Sequence, residues 1–295
     1  IDTVVATAGA NTISTGAGAD DITMGTGADA ITAGDGIDAI TVATANFTAA
    51  DSIGGGDGVD VLTLSDDNVV IDADFTLSTS IETLTAAADM DSTITLGALA
   101  AAAGVATVTL TGEGAGDTDT LTVGAGYTSA LTVNLDDDAN AGNTVSAAAY
   151  TGVLTINADD DELDTTASTL TGGTGTSDVL AITVNGGTLQ AADLANVTAI
   201  ENFNTVADAG NVSITLNDAN VAAGATLNIN ATSMATSAAT IDASNELDGA
   251  VNITAGGTGA HIITLGAGAD TYTSTSTGID TVVATAGANT ISTGA

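Results

Sequence analysis

The sequence predicts an all-β protein whose short strands coil into a parallel stack, on three observations. A nine-residue period with paired glycines and one acidic residue occupies both ends of the 295-residue chain. Runs rich in Thr, Val and Ile with a period of two fill the middle, as half-buried strands do. Proline, which interrupts strands, is absent from the sequence. We expect a parallel β-roll at both ends, continuous with a β-solenoid in the middle, where a β-sandwich is the alternative.

The nine-residue period is strongest near the N-terminus, in three contiguous copies: TGAGADDIT from Thr15, MGTGADAIT from Met24 and AGDGIDAIT from Ala33. Related copies begin at Gly55, Gly257 and Gly266. Each copy joins a Gly-x-Gly-x-Asp loop to a short strand, and two copies would form one turn of the roll. The residues expected to face inward are Ile22, Ile31, Ile40, Leu62, Ile263 and Tyr272.

A longer repeat is superimposed on the short one. Residues 1–17, IDTVVATAGANTISTGA, recur unchanged as residues 279–295, an offset of 278 positions. This match predicts a longer chain of near-identical tandem units of 278 residues, so we expect that Ile1 is not the natural start. The acidic positions would continue across the seam between units. We expect three segments, namely a β-roll over 1–64, a solenoid or sandwich over 65–256, and a β-roll over 257–295 that continues into the next unit.

The loop composition predicts calcium binding. Glycine accepts backbone angles closed to other residues, so carbonyl oxygens can converge, and Asp adds an anionic oxygen. Calcium takes six to eight such oxygen ligands. We expect several ions, each shared between copies two apart, which pairs Asp20 with Asp38 and Asn11 with Asp29. The candidate ligand positions are Asp2, Asn11, Gly16, Gly18, Asp20, Gly25, Gly27, Asp29, Gly34, Gly36, Asp38, Gly56, Gly58, Asp60, Gly266, Gly268, Asp270, Gly278 and Asp280.

The charge balance requires cations from solution. The chain has 37 acidic residues, no Lys or Arg and one His, which gives a formal net charge of −37. Nucleic acid and anionic membrane surfaces are excluded as partners, because both are bound through Lys and Arg. Catalysis is not expected either, because Cys, Lys and Arg are absent and aromatic residues are few. His261 is a poor calcium ligand, so it marks either an unloaded position or a pH-sensitive or transition-metal contact.

These nonapeptides resemble those of the RTX family, the hemolysin-type calcium-binding repeats of Gram-negative secreted proteins. The resemblance covers residues 1–64 and 257–295, and the phrases SIETLTAAA at Ser80 and AIENFNTVA at Ala199 are similar to segments of RTX-containing S-layer proteins and giant adhesins. The resemblance implies that the chain is exported by type I secretion without a cleaved N-terminal signal. It also implies that the chain folds outside the cell, where it binds calcium. An extracellular or cell-surface location is therefore expected.

The middle of the chain contains seven predicted strands, which begin near Val105, Asp119, Leu131, Val153, Leu180, Asn211 and Ala225. The runs LGALAAAAG at Leu96 and LQAADLANV at Leu189 are either helices or capping turns. Extra calcium sites are an alternative to solvated loops at four acidic features, which are Asp66 with Asp67, Asp136 to Asp138, Asp159 to Glu162, and Asp178 in GGTGTSDVL.

Two functions remain open at this point. The first is a calcium-stabilised structural unit whose partner is itself, in a filament, sheath or surface layer. The second is the extender or ligand-binding module of a giant RTX adhesin, with a cell-surface or polysaccharide ligand that the sequence does not identify. Rows of Thr-x-Thr could present a flat face to ice or another surface in the second case, although the rows are short in the sequence.

Overall fold

The computed structural model describes residues 1–67, 69–87, 91–111, 118–135, 142–163, 168–184, 187–207 and 210–294. The described residues form two compact units, the first made of residues 1–135 and 143–152 and the second containing residues 153–294. The predicted cluster Asp136 to Asp138 lies outside the described residues. The predicted segment boundaries after residues 64 and 256 stay a prediction.

The first unit is built from parallel strands in three sheets. Its largest sheet has the order β1-β3-β5-β7-β9-β11-β13, and the others have the orders β2-β4-β6 and β8-β10-β12-β14. The strands are β1 Thr3–Val5, β2 Thr12–Ala17, β3 Asp21–Thr23, β4 Ala30–Asp35, β5 Ala39–Val42, β6 Ser52–Asp57, β7 Val61–Leu64, β8 Val69–Val70, β9 Thr83–Ala86, β10 Thr93–Leu96, β11 Thr107–Leu110, β12 Thr120–Val123, β13 Leu131–Leu135 and β14 Thr144–Ser146.

The second unit repeats this plan. One sheet has the order β15-β17-β20-β22-β24-β26-β28, a second has the order β18-β21-β23-β25-β27, and β16 pairs with β19. The strands are β15 Leu154–Asp159, β16 Thr169–Thr171, β17 Val179–Val184, β18 Thr188–Leu189, β19 Val197–Thr198, β20 Asn202–Ala207, β21 Val212–Thr215, β22 Thr226–Ala231, β23 Ala239–Asp242, β24 Ala250–Ala255, β25 Ile262–Leu265, β26 Thr271–Ser274, β27 Thr281–Ala284 and β28 Thr290–Ser292.

Each unit is a parallel β-solenoid, which confirms the predicted fold class and excludes the sandwich, whose sheets are antiparallel. In the first unit the inward residues stack in one column, where Ile22 pairs with Ile40 and Ile40 with Leu62. The column continues through Leu84, Val108 and Val133. All six predicted inward residues are at most 2% exposed. The roll at each end is thus continuous with the solenoid of its own unit.

The seven predicted strands of the middle are confirmed as β11, β12, β13, β15, β17, β21 and β22. Their alternation explains why they form. In β13, for example, Leu131, Val133 and Leu135 are buried while Thr132 and Asn134 are half-buried on the opposite face. Because one apolar face is covered by the core and the polar face meets water, a period of two favours a strand at each of these positions.

The two alanine-rich runs differ in outcome. The first forms α1 (Ala98–Ala103), which ends at Gly104 with a φ of 105°. Asp72 stabilises its start, because its Oδ1 accepts the N–H groups of Gly97 and Ala100 at 2.8 Å. The second run forms turns rather than a helix over residues 191–196. There the carboxylate of Asp193 accepts the N–H of Gln190 at 2.6 Å, in competition with helical bonding.

The remaining helical segments are short. They are the helix α2 (Asp160–Leu163) and the 3-10 helices Thr44–Asn46, Asp72–Phe75 and Asp218–Asn220. Among the described residues, no helix is both long enough and apolar enough to cross a membrane.

Candidate calcium-binding loops

In the nonapeptide loops away from the chain ends, the acidic residue is buried and lies immediately before a strand. Asp29 lies two positions before the inward residue Ile31, and Asp60 stands in the same relation to Leu62. This spacing turns the carboxylate towards the interior edge of the sheet. The buried acidic residues of the predicted loops, all at most 1% exposed, are Asp20, Asp29, Asp38, Asp60 and Asp270. At the chain ends Asp2 is exposed, and Asn11 and Asp280 are half-buried.

Hydrogen bonds join these residues into two ladders in the first unit. The backbone N–H of Asp20 donates to Oδ1 of Asp38 at 2.8 Å, across a separation of 18 residues. The N–H of Asn11 donates in the same way to Oδ1 of Asp29 at 2.8 Å. The structure therefore brings together the two pairs that the sequence predicts. The first ladder is Asp2, Asp20, Asp38, Asp60 and Glu82, and the second ladder is Asn11, Asp29 and Asp51.

The other carboxylate oxygen of these residues is the candidate calcium ligand. Each Oδ1 is occupied by the N–H of the preceding turn, whereas each Oδ2 is buried and has no hydrogen-bond partner among the described residues. This holds for Asp29, Asp38, Asp60 and Asp270. A buried anionic oxygen is costly unless a cation or a donor compensates it. Because the sequence has no Lys or Arg, the compensating cation must come from solution.

The glycines allow the loops of successive turns to stack. Gly34 has a φ of 118°, and a Cβ there would lie 1.8 Å from the carbonyl oxygen of Gly16 in the preceding turn. A side chain at this position would push the turns apart. The other predicted glycines with a left-handed φ are Gly16, Gly18, Gly27, Gly36, Gly56 and Gly58. At the remaining four a Cβ would lie within 2.8 Å of a carbonyl oxygen of the preceding turn, namely Gly25, Gly266, Gly268 and Gly278.

The electrostatic setting differs between carboxylates of one ladder. The hydrogen bond from the Asp2 N–H lowers the pKa of Asp20 below its ordinary value, against the opposing effect of burial. Burial raises the pKa of Asp60, and the negative charges of Asp38 and Glu82 raise it further. The carboxylate of Asp60 is therefore repelled by both of its ladder neighbours unless a divalent ion separates the charges. The site therefore fits calcium as the bound ion, because it combines buried anionic oxygens, closely stacked glycine loops and uncompensated negative charge.

His261 replaces the acidic residue at one position of the second unit. It is fully buried, and its Nδ1 accepts the N–H of Ala239 at 3.0 Å, as an Asp would. Its Nε2 lies 3.0 Å from the carbonyl oxygen of Gly256. These partners assign the proton to Nε2, so both ring nitrogens are engaged by backbone groups. The choice between an unloaded position and a pH-sensitive or transition-metal contact at His261 stays a prediction.

The ladder relationships continue into the repeated segment at the C-terminus. The N–H of His261 donates to Oδ1 of Asp280 at 3.1 Å, and the N–H of Asp270 donates to Asn289 at 2.9 Å. In the 278-residue repeat, Asp280 and Asn289 are equivalent to Asp2 and Asn11. In the C-terminal copy, the side chains of Asp280 and Asn289 accept an N–H from the preceding turn. In the N-terminal copy, the backbone N–H groups of the equivalent Asp2 and Asn11 donate to the following turn. Both halves of a continuous ladder are therefore present.

Sequence reasoning missed several ladder residues that lie outside the glycine loops. Asp51 accepts the N–H of Asp29, and Glu82 accepts the N–H of Asp60. Glu201 accepts the N–H of Asp178 at 3.0 Å in the second unit. Each precedes a buried residue by two positions, as in Glu82-Thr83-Leu84. This spacing, rather than the glycine period, is the signal that would have found them.

The phrases at Ser80 and Ala199 prove to be structurally equivalent. Ser80 and Ala199 are the described non-glycine residues with positive φ, at 54° and 55°. A Cβ on Gly55 would lie 1.9 Å from the carbonyl oxygen of Ser80, and a Cβ on Gly172 would lie 1.8 Å from that of Ala199. Each is followed by a buried Ile and then by the Glu that accepts from a ladder Asp. The shared phrase therefore encodes one local structure in both units.

The carboxylates of the other predicted acidic clusters accept hydrogen bonds from backbone N–H groups. Asp66 accepts the N–H of Thr44 at 2.5 Å, and Asp67 accepts the N–H of Asp91 at 3.0 Å. Asp159 accepts the N–H of Glu162 at 2.8 Å at the start of α2. Asp178 uses both oxygens, which accept from Leu154 at 2.9 Å and Gly173 at 2.6 Å. Extra calcium sites at these positions stay a prediction.

Comparison with known proteins agrees with the loop chemistry. The family model described as the RTX calcium-binding nonapeptide repeat, in four copies, matches residues 1–31 and 274–295. No curated protein and no solved structure gives a significant match to the chain. The matched residues contain Asp2, Asn11, Asp20 and Asp29 at one end and Asp280 at the other. The segments 1–31 and 274–295 are therefore RTX-type calcium-binding nonapeptide repeats, the kind of repeat that forms a β-roll.

Proposed function

We propose that the chain is a calcium-stabilised structural unit of an extracellular bacterial surface assembly, such as a filament, sheath or S-layer, built from tandem 278-residue units. RTX repeat proteins are typically secreted, which agrees with an extracellular location. Export by type I secretion is part of the proposal and rests on the family resemblance. The role is structural because the candidate site is a repeated fold-stabilising loop rather than a pocket.

One observation supports the proposal, namely that both terminal turns expose isoleucines and that each contains one copy of the repeated segment. Ile291 is 46% exposed, whereas its partner Tyr272 on the neighbouring strand is fully buried. Ile1 and Ile279 are 88% and 87% exposed. The terminal turn of a solenoid buries its apolar residues when a further repeat stacks on it. A following unit would supply the missing neighbour.

The test is electron microscopy of the full chain in calcium and in chelator, with circular dichroism on the same samples. We expect end-to-end assemblies in calcium that dissociate, with loss of β signal, in chelator. Ile291→Asp should prevent end-to-end assembly without unfolding the monomer. Ile71→Asp is the matched control, because Ile71 is 47% exposed away from the ends. Assemblies that persist in chelator, or that form equally well from Ile291→Asp, would contradict the proposal.

A second candidate function, a ligand-binding or extender module of an adhesin, has one observation in its favour. Threonines on the outer face of the first unit lie in register, so that Thr63 pairs with Thr85 and Thr85 with Thr109. A second row joins Thr83, Thr107 and Thr132. Such rows give a flat array of methyl and hydroxyl groups that could meet ice or a polysaccharide. Loss of polysaccharide or ice binding in Thr85→Lys, with assembly unchanged, would favour this function.

We propose no catalytic role. The single His is buried with both ring nitrogens hydrogen-bonded to backbone groups. A groove in the second unit, lined by residues 198–201, 219–222 and 225–227, contains one carboxyl group, Glu201. That carboxylate already accepts the N–H of Asp178. Hydrolysis of any member of a glycoside panel by the purified chain would contradict this view.

A further inference from the structure

We propose that Asp218, Glu246 and Asp248 form a calcium site of a second kind, outside the nonapeptide loops. Asp218 begins the 3-10 helix Asp218–Asn220, which follows β21. Glu246 and Asp248 lie in the turn between β23 and β24. One carboxylate oxygen from each residue lies within 4.8 Å of the other two. Three carboxylates at this separation repel one another strongly unless a cation lies between them.

Glu246 provides an independent reason to expect a cation. Its side chain is fully buried, and its Oε1 accepts the N–H groups of Asp248 at 3.0 Å and Gly249 at 2.6 Å. Its Oε2 is also buried but has no hydrogen-bond partner among the described residues. Because a buried ionised carboxylate is stable only when each oxygen is compensated, the free Oε2 requires a metal ion or a proton. Two further carboxylates at the same place supply the additional oxygen ligands that a metal ion needs.

The backbone around the cluster is held by bonds between successive turns. The N–H of Leu247 donates to Oδ1 of Asp218 at 2.9 Å, across a separation of 29 residues. The side chain of Asn245 donates to the carbonyl oxygen of Leu216 at 2.9 Å. The side chain of Asn217 accepts the N–H of Ala219 at 3.0 Å and so stabilises the 3-10 helix. The carboxylate of Asp218 and the turn that carries Glu246 and Asp248 are therefore held in place by bonds within the protein.

The donor set selects a hard cation. The cluster consists of carboxylates alone, and hard oxygen ligands suit calcium, whereas zinc and copper favour imidazole or thiolate. Asp218 and Asp248 are exposed, so an ion can enter from solvent and keep water ligands. Neither Lys nor Arg occurs in the sequence to replace it. Extracellular calcium is the cation that fits this site.

The location extends calcium stabilisation into the middle of the chain. The carbonyl oxygen of Glu246 accepts the N–H of Ala267 at 3.0 Å, and the N–H of Val251 donates to Oδ1 of Asp270 at 2.8 Å. The turn with the cluster therefore packs directly on the last nonapeptide loop before the seam. None of its three acidic residues lies in the segments that the RTX family model matches. An ion here would fix the turn on which that loop is stacked.

The experiment counts bound calcium per chain by equilibrium dialysis and locates it in crystals by calcium anomalous scattering. We expect an anomalous peak between Asp218, Glu246 and Asp248, and loss of one ion per chain in Glu246→Gln. Asp21→Asn is the control, because it removes one charge from an exposed strand position. If Glu246→Gln does not fold, Asp248→Asn tests the same site from an exposed position.

The outcomes are distinct. An absent peak at this cluster with peaks at the nonapeptide loops would overturn the inference and leave the RTX calcium sites intact. An unchanged ion count in both Glu246→Gln and Asp248→Asn would overturn it as well. A peak together with the loss of one ion in either variant would support it, whether or not the chain assembles end to end, so the result is independent of the proposed assembly.

Discussion

The backbone N–H of Asp270 donates a 2.9 Å hydrogen bond to the side-chain oxygen of Asn289, the tandem equivalent of Asn11. The N–H of Asn11 in turn donates to Oδ1 of Asp29 at 2.8 Å. The same asparagine therefore accepts from the turn before it and donates to the turn after it. A continuous chain of units would contain both bonds at every seam.

The seam leads to the first prediction, which concerns a chain of two units. In the 295-residue chain, β27 and β28 form the last turn. In a chain of two tandem 278-residue repeats, a further turn would pair with them. We expect the amide hydrogens of residues 279–295 at the internal seam to exchange markedly more slowly than in the single unit. Hydrogen exchange with mass spectrometry measures this. Strand β11 serves as the control, because its neighbours are the same in both chains, and equal exchange at residues 279–295 would argue against a continuous ladder.

Much of the ladder could be predicted from the sequence, because local chemistry specifies it. The glycine period identifies Asp20, Asp29 and Asp38, and the period of two identifies the strands that follow them. Asp51 escaped this pattern because the turn before it is longer, with a separation of 22 residues from Asp29 rather than 18. A search for an acidic residue two positions before an inward aliphatic residue depends less on turn length and includes Asp51 and Glu82.

The cluster at Glu246 could not be predicted from the sequence. Asp218 is 28 positions before Glu246, and the turns of the second unit vary in length, so no fixed period brings the two together. Their proximity depends on the 3-10 helix at Asp218 and on the tertiary bond from Leu247. The left-handed conformation of Ser80 could not be predicted either. It goes with the close contact between its carbonyl oxygen and Gly55, which the local sequence does not reveal.

The second prediction concerns Asp38→Asn, whose effect on stability should change sign with calcium. In saturating calcium the variant loses an anionic ligand, and we expect a loss of about 2.7 kcal/mol if one site is filled at 100 times its dissociation constant. In chelator the same substitution removes charge repulsion between Asp38 and its ladder neighbours, so the variant should be at least as stable as the parent. Urea unfolding in both conditions measures the difference.

The control for Asp38→Asn is Asp21→Asn, which makes the same charge change on an exposed face. Its effect should be small in both conditions, because exposed charges interact weakly. If Asp38→Asn destabilises the chain equally with and without calcium, the carboxylate acts through its hydrogen bond to Asp20 alone and does not bind the ion.

The third prediction tests the stacking of glycines. Gly34→Ala should be more destabilising than Gly16→Ala, although both positions have a left-handed φ, of 118° and 98°. A Cβ at Gly34 would lie 1.8 Å from a backbone oxygen, whereas a Cβ at Gly16 meets nothing within 4 Å. We expect about 1–3 kcal/mol for the strained backbone in each variant and a further ~1–3 kcal/mol for the clash in Gly34→Ala. Equal losses of unfolding free energy would mean that the turns do not stack this closely.

The fourth prediction concerns alkaline pH and Tyr272. Burial raises the pKa of Tyr272 from 10.0 to about 12, and the neighbouring Asp280, which accepts its hydroxyl at 2.9 Å, adds to the rise. Because the folded-state pKa lies above the unfolded value, the stabilisation is complete below pH 10 and is lost as the pH rises from about 10 to 12. Tyr272→Phe should be less stable than the parent at pH 9, and the difference should narrow by pH 11.5.

Denaturant titrations at pH 9 and pH 11.5 measure this narrowing. Tyr127 is retained in the variant and also has a pKa raised by burial, so the alkaline loss should be reduced rather than abolished. A difference between parent and Tyr272→Phe that is the same at both pH values would show that the hydroxyl of Tyr272 does not titrate in this range.

The last prediction concerns His261, whose Nδ1 accepts a backbone N–H as the Asp carboxylates do at the other ladder positions. In His261→Asp, a carboxylate oxygen can still accept the N–H of Ala239, but the bond from Nε2 to the Gly256 carbonyl oxygen is lost. The new charge also lies beside Asp280, whose Oδ1 accepts the His261 N–H. We therefore expect the variant to be less stable than the parent in chelator and to regain stability in calcium, with about 2.7 kcal/mol regained for one site filled at 100 times its dissociation constant.

His261→Asn is the matched control, because it keeps an acceptor for Ala239 without adding charge. The melting temperature in calcium minus that in chelator should widen in His261→Asp and stay near the parental value in His261→Asn. If both variants widen it equally, the loss of the imidazole rather than the gain of a carboxylate is responsible. A wider gap in His261→Asp alone would mean that the loop around Gly257 and Gly259 keeps the geometry of a calcium loop, and that the choice between metal and imidazole at this turn rests on one residue.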